Sequence, residues 1–214
     1  MEQTENSARE RILQRIRLAL SEGTAHPAPG SDAELFPPIP DLLARFQAEC
    51  ATNHTECILT ADAAATAAVV AGILSAVPGE IIVQDAPELR RAAASWPEDG
   101  RVRWSSAASP REDTQATVTL AEALVAMTGS IFVSSSCGGR SATVAAAVHI
   151  VVARQAQLVP DLQTLFAGVS RDTNLLKNSM LCLTTGSSRT ADIEKILVLG
   201  AHGPKRLVVV LQRD

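Results

Sequence analysis

The sequence predicts an α/β fold with a mainly parallel central sheet, an antiparallel portion, and helices on both faces. Three observations carry this expectation. From Glu56 to Ser105, short apolar runs alternate with helical patterns, the rhythm of β-α-β units whose sheet is covered on both sides. Then come Val118–Met127, Gly129–Ser135 and Ala145–Ala153, three apolar stretches with little room for helices between them, which implies antiparallel pairing. A strand over 180–185, a helix over 191–199 and a strand over 206–211 restore the alternation at the end of the chain.

Taken in order, Ser7-Ala8-Arg9-Glu10 has capping-box spacing, and Ile12, Leu13, Ile16 and Leu20 follow as one apolar stripe before Gly23. Residues 1–23 therefore read as an N-terminal amphipathic helix whose other faces carry Arg9, Arg11, Arg15 and Arg17. Residues 24–40 include Pro27, Pro29, Gly30, Pro37, Pro38 and Pro40, too many fixed dihedrals and missing donors for regular structure. They form a Pro-rich linker or arm. The α/β domain is expected over 41–214, opening with a helix that carries Leu42, Leu43 and Phe46.

Within the domain, Glu56–Leu59 reads as a strand and Asp62–Val77 as an alanine-rich helix. Glu80–Gln84 is a second strand, Pro87–Ser95 a helix, and Arg101–Ser105 a third strand. Val159-Pro160-Asp161 opens a helix through Ala167, with Pro160 suited to its first turn. His149 alternates with Val148 and Ile150 and is expected to be a hydrogen-bonded structural residue.

Composition narrows the function classes. The 214 residues are 46% hydrophobic and 20% charged, with a net charge of −4, a globular balance with no basic footprint for nucleic acid. Aromatic residues make up 3%, with no tyrosine, which leaves no platform for base stacking. Cys50, Cys57, Cys137 and Cys182 contain no C-x-x-C pair, and no apolar leader is evident at the start, as expected for a cytoplasmic protein. Cys57 and Cys182 sit in apolar runs, while Cys137 beside Gly138 and Gly139 is expected to be more exposed. No run is long enough to span a membrane. No ligand-spaced histidines predict a metal, and neither a dinucleotide fingerprint nor a Walker lysine predicts a cofactor.

The chemistry-bearing residues concentrate in three stretches. Gly186-Ser187-Ser188-Arg189-Thr190-Ala191-Asp192 lies where a strand is expected to turn into a helix. Unpaired amides there, with the hydroxyls and the Arg189 fork, would favour a small anion. Thr128-Gly129-Ser130 marks a bend that lets a ligand approach the backbone. Arg140, in the loop Ser134–Ser141, adds a second guanidinium, and His202, in Gly200-Ala201-His202-Gly203-Pro204, an imidazole. These are the candidate ligand-binding residues; no residue is assigned a catalytic role.

The two blocks 186–194 and 200–204, in that order and spacing, together with Thr128-Gly129-Ser130, Val148-His149-Ile150 and Val159-Pro160-Asp161-Leu162, resemble the lactate utilisation protein C group of the LUD-domain family. The resemblance runs over about residues 117–212. It implies a fold like the phosphosugar isomerase and CoA-transferase superfamily, and a role in bacterial oxidation of L-lactate to pyruvate beside two iron–sulfur partner proteins. The chain departs from that pattern at Met127, where the family usually has an acidic residue, and at Ala146 and Ala147, where prolines are usual. Methionine neither accepts nor relays a proton, so the general-base position next to the bend is lost. The expectation is an accessory or anion-binding subunit without independent catalysis. The alternative is an enzyme of the CoA-transferase, phosphosugar isomerase or formyltetrahydrofolate cyclo-ligase-like superfamily acting on an anionic small molecule. In that reading Asp192, Glu194 or His202 would move a proton, but Asp192 and Glu194 are two apart on the expected helix and cannot face one substrate together.

Overall fold

The computed structural model describes residues 2–21, 36–96, 99–111, 113–191, 197–199 and 203–214, with backbone alone at 2–7, 189–191 and 197–199. The chain divides into two units, Met1–Pro37 and Pro38–Asp214. In the first, α1 (Glu2–Ser21) begins one turn and more before the predicted cap at Ser7 and ends where the stripe ends. Ile12, Ile16 and Leu20 are exposed on it.

The second unit is built on a six-stranded sheet. Its elements in chain order are α2 (Leu42–Thr52), β1 (Glu56–Thr60), α3 (Ala63–Ser75), β2 (Ile81–Val83), α4 (Pro87–Ala92), β3 (Val102–Trp104), β4 (Ala116–Leu120), β5 (Ala123–Val125), β6 (Ser130–Ser134), β7 (Val148–Arg154), β8 (Leu158–Val159), α5 (Leu162–Val169), β9 (Leu181–Thr184), β10 (Arg189–Ala191), β11 (Leu197–Leu199) and β12 (Arg206–Gln212). The order β1-β12-β7-β4-β2-β3 is parallel throughout. The last strand thus enters the middle of the sheet, with Val209 paired to Cys57 on one side and Val151 on the other.

Alternation assigns each strand residue to a face. Val118, Ile150, Val208 and Val210 pack under α3 and α4 with Val70, Leu74 and Leu89. Val151, Ala153, Leu207, Val209 and Leu211 pack on the opposite side with Phe46 and Cys50 of α2 and with Leu124 and Ile131. Burying each large apolar side chain contributes roughly 1.5–3 kcal/mol, and each face carries a buried apolar cluster. The helices start where the chain offers a cap. Asp41, Asp62 and Asp161 accept from the backbone N–H of Ala44, Ala65 and Thr164 at 2.9, 2.8 and 2.7 Å, satisfying donors that a helix cannot pair internally.

The α/β class and the mainly parallel sheet are as the sequence predicts, and four details differ. The stretch Val118–Met127 is two strands: β4 ends in the large sheet and β5 joins a second, four-stranded sheet, β8-β5-β6-β9. That sheet supplies the antiparallel portion, through β5 with β6 and β6 with β9. Ala145–Ala153 does not pair with it; β7 is a parallel strand of the central sheet, because the connection from β6 carries the chain back to the starting edge before β7 begins. Pro160 precedes the helix, and Asp161 caps it.

The fourth difference bears on function. Where a helix over 191–199 is expected, β10 and β11 pair antiparallel, Arg189 opposite Leu199 and Ala191 opposite Leu197. Leu197-Val198-Leu199 reads equally well as a short apolar strand, since three residues cannot distinguish the two periods.

Candidate functional site

The end of α2 is the anchor of the candidate site. Its C-terminus closes as a Schellman motif: His54 N–H donates to the carbonyl of Ala51 and Thr55 N–H to that of Cys50, with His54 at φ 55°. Asn53, the C-cap residue, then holds two turns of the neighbouring sheet. Its Nδ2 donates to the Thr128 carbonyl at 2.9 Å. Its own carbonyl oxygen lies where only a glycine fits, 2.6 Å from the position a Cβ on Gly186 would take.

Gly129 meets the same helix end, for its Cβ position lies 2.8 Å from Cβ of Glu49 and 3.0 Å from the Cys50 nitrogen. Gly129 at φ 65° and Gly186 at φ 80° occupy the left-handed region that glycine adopts without strain. Between the two turns runs a chain of hydroxyls: Thr128 Oγ1 to Ser130 Oγ at 2.7 Å, and Ser130 Oγ to Thr185 Oγ1 at 2.6 Å.

The two sequence blocks 186–194 and 200–204 also meet. Ser188 N–H donates to the Pro204 carbonyl at 2.8 Å, and the Cβ position of Gly203 lies 3.0 Å from Cβ of Ser188. Thr128, Gly129, Ser130, Gly186, Ser187 and Ser188 therefore share one neighbourhood at the end of α2. Arg189 and Thr190 are backbone residues of β10 there, while Asp192, Glu194 and His202 lie outside the described residues. Among the described residues a strand, β10, and not a helix follows Gly186, so no amides of a first helical turn are found there. What the turns carry instead is the linked hydroxyls of Thr128, Ser130 and Thr185.

Arg140 belongs elsewhere. Its Nε donates to Ser179 Oγ at 3.2 Å, beside Ser135, at the far end of β6 from Ser130. The five residues of β6 separate those ends by roughly 13 Å. At that far end sequence reasoning missed Glu122, whose Oε1 accepts from Ser134 Oγ at 2.8 Å and Ser136 Oγ at 3.3 Å. It missed Asn53 as well. A helix stop at Asn53-His54 is visible in the sequence, but not the turns it touches, which lie 75 residues and more away.

Four further titratable side chains, one histidine and three cysteines, lie in or against the core. His149 is 1% exposed, with Nε2 at 2.9 Å from Thr119 Oγ1 and Nδ1 unpaired, and burial lowers its pKa to about 4. It is neutral, as a buried core histidine should be. Cys137 is 2% exposed, contrary to expectation, and burial first, with Cys182 nearby, pushes its thiol up to about 11. The turn after Ser134 folds it inward. A hydrogen bond between the Cys50 and Cys57 thiols raises the first and lowers the second. Among the described residues no group of three or more His, Cys, Asp or Glu is placed to hold a metal, and no helix is long and apolar enough to cross a membrane.

Residues 43–212, which include both glycine turns, match the LUD domain family. The chain belongs to that family. Its relatives include proteins named Lactate utilization protein C. That of Bacillus subtilis (strain 168) is 27% identical over 191 residues, spanning 81% of this chain and 79% of the relative. That of Geobacillus sp. (strain WCH70) is 25% identical over 190 residues with the same coverage. A crystal structure of a DUF162 family protein from Deinococcus radiodurans superposes with a TM-score of 0.62 at 19% identity, over 86% of this chain and 99% of that one. At that identity the likeness concerns the fold of this LUD domain alone.

Proposed function

We propose that this LUD domain protein is a lactate utilisation protein C-like component of a bacterial system that oxidises L-lactate to pyruvate. The observation that carries the reading is the alignment, over about four-fifths of the chain, with proteins bearing that name. Its role is accessory: it binds a small anion and acts beside two iron–sulfur proteins that carry the electrons.

The site chemistry supports binding over turnover. The turns at Thr128–Ser130 and Gly186–Ser188 carry the linked hydroxyls of Thr128, Ser130 and Thr185, which share two hydrogen bonds and leave one proton to donate to a carboxylate. Met127 stands where a proton acceptor would be needed. The exposed Ile12, Ile16 and Leu20 of α1 offer an apolar stripe for a partner protein. Affinity purification of the tagged chain from lactate-grown cells tests the assembly. Two iron–sulfur proteins should accompany the full chain and be depleted when residues 1–40 are removed; an unchanged set removes the docking role of α1, and no iron–sulfur protein at all removes the partner assignment.

A further inference from the structure

On the other face of the central sheet, between α3, α4 and the C-terminal ends of β4, β7 and β12, lies a cavity of about 790 Å³. Crevices at the carboxyl ends of parallel strands are where α/β sheets take ligands, and the volume falls in the range of small-molecule pockets. It exists because the α3 wall is made of Ala63, Ala64 and Ala67, side chains too short to reach Leu120 and Val152 opposite.

Three features show what would fill it. Trp96, which lines the cavity, is 5% exposed, and its indole Nε1 is buried without an acceptor among the described residues. Such an orphan donor is rare in a folded protein and is open to an oxygen acceptor from a water or a ligand. Arg91 and Arg154 also line it, and neither has a carboxylate partner among the described residues. Against these two cations stands one acid among the described residues, Glu88. Finally, Ala63 and Ala64 open the 13-residue α3, and Asp62 caps Ala65, so the first two amides of that helix have no internal partner.

We propose that this cavity binds an amphipathic organic anion: an acyl or aryl body lies against Leu89, Leu120 and Val152, an acid group meets Arg91 and Arg154, and an oxygen accepts from the Trp96 indole. A three-carbon acid such as lactate would leave most of the volume unfilled, so this site is separate from the turns around Asn53 and does not depend on the lactate reading.

Calorimetric titration of the full chain with octanoate, octyl phosphate, 1-octanol and L-lactate tests the proposal. At least one of the two octyl anions should bind saturably, at least roughly tenfold tighter than 1-octanol, and saturating L-lactate should not displace it. The carboxylate and phosphate arms identify the acid group. Trp96→Phe keeps an aromatic side chain, a smaller one, and removes the donor, and should weaken the anion roughly five- to tenfold. Ala64→Leu fills the cavity with a good helix former and should abolish binding while leaving the circular dichroism and melting temperature of the fold intact. Anions that bind no better than octanol, or that bind Ala64→Leu and Trp96→Phe as tightly as the parent chain, would overturn it.

Discussion

The backbone of Gly186 runs so close to Asn53 that a Cβ on the glycine would lie 2.6 Å from the Asn53 carbonyl oxygen. Both glycine turns of the candidate site are fixed in this way against one helix end, Gly129 against Glu49 and Gly186 against Asn53. Replacing either by alanine forces a positive φ on a residue with a Cβ and drives that Cβ into backbone atoms. Gly129→Ala and Gly186→Ala are each expected to lower stability by about 2–4 kcal/mol. Gly72→Ala, in the middle of α3 with nothing near its Cβ position, should raise it by about 0.5–1 kcal/mol. Urea denaturation midpoints check all three.

Much of this site was legible in the sequence as residue types, and little of it as geometry. The glycines at 129 and 186 and the serines beside them stand out as turn chemistry, and they do come together. Their common support does not stand out, because Asn53 reaches them through the tertiary fold. Arg140 shares their chemistry and sits at the opposite end of β6, a distance that no local pattern encodes. The β10–β11 pair was misread because an isolated apolar triplet carries no period of its own, whereas the alternation from β1 to β3 was long enough to be read correctly. The cavity under α3 was invisible for a different reason: alanine-rich helices signal close packing, and only the sheet opposite shows that this one leaves space.

His149 gives the fold a pH dependence with a definite sign. Its folded pKa of about 4 lies below the ordinary histidine value of 6.5, so between those values the unfolded chain takes up a proton that the native state refuses. Its contribution to stability is fully present above pH 6.5 and is lost as pH falls to about 4, on the order of 3 kcal/mol in all. Unfolding free energies measured from pH 7.5 to 4.5 should fall along that curve. His149→Leu should flatten it by about one proton, and an unchanged slope in the variant would assign the effect to other groups.

The helix ends make a third prediction. Asp161 is 8% exposed and accepts from Thr164 N–H, so Asp161→Ala should cost about 0.5–2 kcal/mol. His54 holds a left-handed conformation at the end of α2 without being glycine. His54→Gly relieves that strain at some entropic cost and should stabilise by about 0.5–1 kcal/mol. Thermal melts of the two variants are expected to shift in opposite directions.

Arg189 is the residue proposed from the sequence to hold the anion, and its strand β10 starts one residue after the contact of Ser188 with Pro204. Arg189→Ala is expected to weaken binding of L-lactate or pyruvate by about 1.5–3 kcal/mol, the worth of a charge-assisted hydrogen bond, with the melting temperature unchanged. Calorimetric titration reads the affinity, and equal affinity in parent and variant removes Arg189 from the site.

The lactate assignment itself is tested most directly by growth. In the organism that encodes this chain, deleting its gene should abolish or sharply slow growth on L-lactate as sole carbon source while leaving growth on pyruvate intact, and the full-length chain supplied in trans should restore it. Undiminished growth of the deletion strain on L-lactate would contradict the account.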